Sequence, residues 1–60
     1  MRRSVVAGED LTPGDVLTVE NVAFKRPASG FLGKDLHKLL GRRVSRKVPK
    51  DQIITEDLLQ

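Results

Sequence analysis

The chain has sixty residues, 38% hydrophobic and 32% charged, with a formal charge of +3, two phenylalanines as its only aromatics and no cysteine. At this length only about 60% of the unfolded chain's surface can be buried, which excludes a large pocket, and without cysteine there is neither a disulfide framework nor a cysteine metal site to staple the fold. No apolar run approaches the roughly 20 residues that span a bilayer, and Met1-Arg2-Arg3 is followed by only Val5-Val6-Ala7 before acidic residues, so neither a spanning segment nor a signal peptide is expected.

In chain order, Ser4-Val5-Val6-Ala7 has the β-branched enrichment of a short strand, with Arg2 and Arg3 expected at the surface ahead of it. Gly8 to Gly14 is rich in turn formers, and Thr12-Pro13-Gly14-Asp15 predicts a tight turn. Val16-Leu17 is too brief to be more than a bridge. Thr18 can then cap a single helical turn through Val19-Glu20-Asn21, because its hydroxyl can accept an orphan amide hydrogen bond. Val22 turns inward and Ala23-Phe24-Lys25 extends to Arg26. Pro27 biases Arg26 toward β or polyproline geometry, which fixes the direction in which the arginine leaves the strand.

Leu32, Leu36, Leu39 and Leu40 fall at i, i+4, i+7 and i+8, the single apolar stripe of one short helix near 34–40. Gly41 is placed to end it in a left-handed conformation, with Lys38, Arg42 and Arg43 near its negative dipole end. Val44 to Val48 alternates apolar and polar residues like a half-exposed strand. Pro49-Lys50-Asp51-Gln52 turns the chain, and Ile53-Ile54 with Thr55 to Leu59 repeats the earlier bridge and capped turn.

That repetition extends further. A shift of about 37 positions sets Leu11 over Val48, Val16 over Ile53, Leu17 over Ile54, Thr18 over Thr55, Glu20 over Asp57 and Val22 over Leu59. Pro13 and Pro49 fall one residue out of register, which reads as one extra residue in one turn. Six matched pairs favour a fold with pseudo-twofold internal symmetry, mostly β with short strands and short helices.

Chemical motifs are sparse. His37 has no cysteine or obvious proton partner beside it and reads as a surface helix residue. Glu9, Asp10, Asp15 and Glu20 lack the loop spacing of a calcium-binding EF-hand and read as a solvated face. Gly30-Phe31-Leu32-Gly33 has the GXXG spacing of a backbone clamp for nucleic acid, but the chain supplies too little helix and sheet for that domain. Arg42-Arg43 with Arg46-Lys47 could meet phosphates, yet base-stacking aromatics are missing, since Phe24 and Phe31 are assigned to the core. The small positive excess, with both signs interspersed, otherwise suits a solvated surface. Arg26 stands apart because a strand and a proline constrain its backbone, and its guanidinium offers a rigid fork of donors to a carboxylate, phosphate or amide oxygen, although composition alone suits an ordinary surface salt bridge equally well.

Ser4-Val5-Val6-Ala7, the turn Pro13-Gly14-Asp15-Val16-Leu17-Thr18, Lys25-Arg26-Pro27 and Leu39-Leu40-Gly41-Arg42 together resemble the C-terminal antifreeze-like domain of sialic acid synthases, in the wider SAF or β-clip family. The resemblance covers almost the whole chain and implies a compact β-clip fold over residues 1–60, forming the C-terminal part of a longer cytoplasmic synthase. In that family a catalytic barrel condenses phosphoenolpyruvate with an N-acylmannosamine or related sugar, using a divalent metal held by the barrel. The small domain, which carries no cofactor, swaps across a homodimer and covers the partner subunit's site. The arginine of its Arg-Pro motif reaches the N-acyl group, so the resemblance implies Arg26 as the substrate-binding residue. The domain by itself is then expected to be a monomer without catalytic or metal-binding residues and without a membrane partner.

Two positions depart from the family pattern. Its usual Arg-Pro-Gly is here Arg26-Pro27-Ala28, which closes a glycine conformation to the loop, and Gly33 stands where a proline commonly starts the helix. The same fold serves type III antifreeze proteins, so ice binding is the alternative function, with a small basic nucleic-acid-binding module as a further one. Against ice binding, the matching face here carries Glu9, Asp10, Asp15 and Glu20, whose strongly hydrated carboxylates spoil a flat uncharged surface.

Overall fold

Two valines flanked by serine and alanine suit a strand enclosed on both sides. In the computed structural model, which describes residues 3–60, this strand, β1 (Ser4–Ala7), is buried at every position. It pairs antiparallel with β2 (Val22–Lys25), Ser4 opposite Lys25 and Ala7 opposite Val22. The remaining pairing comes as isolated bridges: Ser4 with Leu32, Val6 with Ile53, Leu11 with Val48, Val16 with Arg43, and Val44 with Leu59. Val5, Ala7, Leu11, Leu17, Leu39, Val44, Val48 and Ile54 form a core of aliphatic side chains at 0–1% exposure. Among the described residues, no helix is long and apolar enough to cross a membrane.

The internal repeat is realised in the backbone hydrogen bonds. Leu11 and Val48, about 37 positions apart, bond to each other in both directions, at 2.7 and 2.9 Å, so this bridge lies where the two halves meet. Around it further bonds come in related pairs. Ala7 N–H to the Gln52 carbonyl (2.9 Å) is answered by Val44 N–H to Asp15 (3.0 Å). Ile54 N–H to Val5 (3.0 Å) is answered by Leu17 N–H to Arg42 (2.8 Å), and Gly8 N–H to Asn21 (2.8 Å) by Ser45 N–H to Leu58 (2.7 Å).

The two proline turns correct one expectation. Asp15 N–H bonds the Thr12 carbonyl at 3.0 Å and Gln52 N–H bonds the Pro49 carbonyl at 3.1 Å, so both turns have the same length and neither carries an extra residue. Proline has moved within the turn, from its second position at Pro13 to its first at Pro49. The third position is left-handed in both, Gly14 at φ +92° and Asp51 at φ +73°. Proline followed by a left-handed glycine is a type II turn, and aspartate is among the few other residues that tolerate this region.

The segments after these turns also repeat, with different capping. Asn21 N–H returns to the Thr18 carbonyl (3.2 Å), the Thr18 hydroxyl accepts the Glu20 N–H (3.2 Å), and the Asn21 side-chain oxygen accepts the Thr18 N–H (2.8 Å). The expected cap is present, but it closes a turn instead of a helical turn. The counterpart is a 3-10 turn, Glu56–Leu58, where the Thr55 hydroxyl donates to the Asp57 carboxylate.

The short helix falls where the leucine stripe placed it, in two pieces: a 3-10 turn, Gly33–Asp35, and α1 (Leu36–Leu39). Leu39 is fully buried and Leu36 packs against the core, while Leu40 turns extended (ψ 132°) and is 38% exposed. The stripe breaks there because Gly41, at φ +88°, gives its N–H to the Leu17 carbonyl at 3.0 Å and draws the chain out of the helix. Val44 to Val48 is not a continuous strand. The chain bends at Ser45 and Arg46, and the two buried valines are anchored by separate bridges to Leu59 and Leu11.

Candidate functional site

Residues 26–40 lie between the two related halves, and β2 delivers the chain into them. Along its last residues, Phe24 is 40% exposed and Lys25 is drawn aside into an ion pair with Asp51 at 2.7 Å. Arg26 follows, exposed, and among the described residues it takes part in no ion pair or side-chain hydrogen bond. The Arg26–Pro27 peptide is cis.

The loop after Arg26 is seated by three contacts with the frame. Ser4 is fully buried, and its Oγ donates to the Pro27 carbonyl and accepts the Ser29 N–H, each at 2.5 Å. Val5 N–H bonds the Phe31 carbonyl at 2.9 Å. Gly30 is left-handed (φ +67°) and lies so close to the second half that a Cβ there would stand 3.1 Å from both Ile53 Cγ2 and the Ile54 carbonyl oxygen. Conformation and space together therefore require glycine at this position.

Further along, Asp35 accepts the Leu32 N–H at 3.0 Å, the side-chain half of a capping box. That backbone hydrogen bond, helped by the charges of Lys38 and Lys34, holds its carboxyl below the usual carboxylate range. The Phe24 ring packs over Gly33, where a Cβ would meet its edge at an ordinary 3.6 Å.

Two of the other cationic candidates, Arg42 and Arg43, are engaged elsewhere. Arg42 holds Glu56 through two hydrogen bonds of 2.9 and 2.5 Å and also reaches the Gln60 carbonyl at 3.1 Å. The mutual hydrogen bond raises the Arg42 pKa and lowers that of Glu56. Arg43 donates to the Gly14 carbonyl at 2.9 Å, so these two arginines form no open basic patch with Arg46 and Lys47.

The acidic residues are similarly spent on turns. Asp15 accepts the Thr12 N–H and hydroxyl, and Asp10 accepts the Lys50 N–H at 2.8 Å. His37 is exposed on α1, as expected, and Arg3 is exposed, while Arg2 lies outside the described residues. Of the two phenylalanines assigned to the core, only Phe31 packs against it.

Sequence reasoning placed Arg26 at a strand end, and there it stands. It missed the residues that seat its loop. The only signals were a serine opening an otherwise apolar strand and a glycine, Gly30, with no reason to be one until its neighbours were known. Chemically, an exposed guanidinium on a seated loop can bind and orient an anion or an amide oxygen.

A family model described as the SAF domain matches residues 2–60. The chain is 41% identical over 59 residues to an uncharacterized protein of Methanocaldococcus jannaschii, a match covering 97% of this chain and 18% of that protein. It is 30% identical over 56 residues to the N,N'-diacetyllegionaminic acid synthase of Campylobacter jejuni, covering 93% of this chain and 17% of the synthase. The chain thus spans only a small part of the curated relatives it matches. Its structure is similar to the solution structure of the antifreeze protein like domain in the human N-acetylneuraminic acid phosphate synthase gene, with a TM-score of 0.88 and 31% identity over 95% of this chain and 73% of that one.

Proposed function

The chain belongs to the SAF domain family, and on that premise we propose that it is the substrate-capping domain of a sialic acid synthase-type enzyme. In this reading it is the C-terminal part of a longer cytoplasmic protein whose barrel condenses phosphoenolpyruvate with an N-acylmannosamine or a related amino sugar. The divalent metal belongs to that barrel. The domain crosses to the partner subunit of a homodimer, covers its active site and supplies Arg26 to the N-acyl oxygen of the sugar.

The observation that carries this reading is the placement of Arg26. Lys25 before it is held by Asp51, whereas Arg26 is exposed at the end of β2, on a loop seated by Ser4 and Gly30, with its guanidinium donors uncommitted among the described residues. Such a donor on a seated loop orients a substrate and helps exclude water without making or breaking bonds itself. The test is steady-state kinetics of the full-length synthase carrying Arg26→Ala. The KM for the amino sugar is expected to rise by about tenfold or more, the scale of a lost hydrogen bond to a charged donor, with the KM for phosphoenolpyruvate unchanged. Unchanged sugar kinetics would refute the role.

A further inference from the structure

We propose that Ser4 is the positioning residue for Arg26, a role that rests on the substrate-capping reading above. Four contacts converge on this one residue. Its backbone is paired opposite Lys25, immediately before the arginine. Its hydroxyl donates to the Pro27 carbonyl, immediately after the arginine, and accepts the Ser29 N–H, each at 2.5 Å. Its backbone also bridges Leu32, where the loop rejoins the frame. Ser4 therefore brackets Arg26 on both sides and closes the loop that presents it.

The chemistry of the position is narrow. A hydroxyl is the smallest side-chain group that donates and accepts at once, and Ser4 uses both functions at 0% exposure. Alanine would leave the Pro27 carbonyl and the Ser29 N–H without their partner. Elsewhere β1 is apolar, so the strand supplies no substitute. The loop's other fixed points, Phe31 on Val5 and Gly30 against Ile53, lie several residues beyond Arg26 and hold the far limb. The near limb, at Pro27 and Ser29, depends on the serine hydroxyl.

The experiment compares, in the full-length synthase, two replacements that match each other in volume, Ser4→Thr, which keeps the hydroxyl, and Ser4→Val, which removes it. Ser4→Val is expected to raise the amino-sugar KM about tenfold, because small misplacement of an orienting group is costly, with the phosphoenolpyruvate KM unchanged. Ser4→Thr, with both hydrogen bonds available, should lie close to the parent enzyme. Ser4→Val combined with Arg26→Ala should be no worse than Arg26→Ala alone, since a residue acting through the arginine has nothing left to position. A KM rise equal in Ser4→Thr and Ser4→Val, additive effects in the double variant, or sugar kinetics of Ser4→Val matching the parent would each overturn the role of Ser4. If Arg26→Ala itself leaves the sugar KM unchanged, the capping reading fails first, and that outcome is separable because it is measured without touching Ser4.

Discussion

The two related halves and the segment between them are built on different principles. The halves hold each other through reciprocated backbone bonds about the Leu11–Val48 bridge and share an aliphatic core. Residues 26–40 give that core one fully buried side chain, Leu39, pack Phe31 and Leu36 against it, and are tied down by a serine hydroxyl, a glycine in close approach and a carboxylate cap. Stability is thus concentrated in the symmetric frame and presentation in the asymmetric loop. Substitutions should separate the two.

The strongest test of the frame is Leu11→Ala. Truncating a fully buried leucine costs about 2–5 kcal/mol, a large fraction of the total stability of a small domain, so the cooperative urea transition should shift far toward zero denaturant or vanish. A small shift would mean that the core about the central bridge is not what holds the halves. Next comes the contact between the regions. Gly30→Ala combines a left-handed backbone, worth about 1–3 kcal/mol, with a Cβ forced against Ile53 and Ile54.

Gly14→Ala suffers the backbone term alone, because nothing lies within 4 Å of the new Cβ, and should cost only about 1–2 kcal/mol. A reversed order of the two glycine variants would break the assignment of Gly30 as a clamp between loop and frame.

Acid should act more weakly still. Asp51, held by the Lys25 hydrogen bond, and Glu56, held by that of Arg42, have folded-state pKa values below the usual carboxylate range. They bind fewer protons folded than unfolded, so their stabilisation is complete above about pH 5 and is lost as pH falls through about 4 and below. Urea midpoints followed on acidification should fall in this window, and Asp51→Asn with Glu56→Gln should flatten the fall. Because both pairs are exposed, added salt should shrink the effect. At the bottom of the scale, Arg26→Ala should leave the urea midpoint unmoved while impairing sugar use. A marked loss of stability in that variant would erase the division between frame and loop.

Much of the frame was legible because its signals are local. Ser4–Ala7 is a strand by composition, Pro13-Gly14 specifies its turn, Gly41 ends the helix in the left-handed region, and the repeat reports the pseudo-twofold. What escaped is set by residues distant in the chain. Ser4 binds partners 23 and 25 positions away, Gly30 is required by Ile53 and Ile54, and Val44 to Val48 breaks where Ser45 turns to the Leu58 carbonyl. Apolarity points Phe24 inward, yet its strand ends at the surface, where the ring rests on Gly33. The candidate site was legible in one residue, Arg26, and illegible in its mount, which depends on who the neighbours of β1 turn out to be.

The reciprocal pairing of the halves also shapes how the chain is made. The Leu11–Val48 bridge and the bonds of Ala7 with Gln52, Val5 with Ile54, Asp15 with Val44 and Leu17 with Arg42 join residues from opposite halves, so neither half completes its backbone pairing alone. While the chain is being synthesised, β1 has β2 to pair with and Phe31 and Leu32 to meet, but its other side is complete only when Ile53 and Ile54 have left the ribosome. Long loops must close before these pairings repay their entropy, which makes acquisition of structure a late, all-or-none event, slower than in a helical chain of the same length.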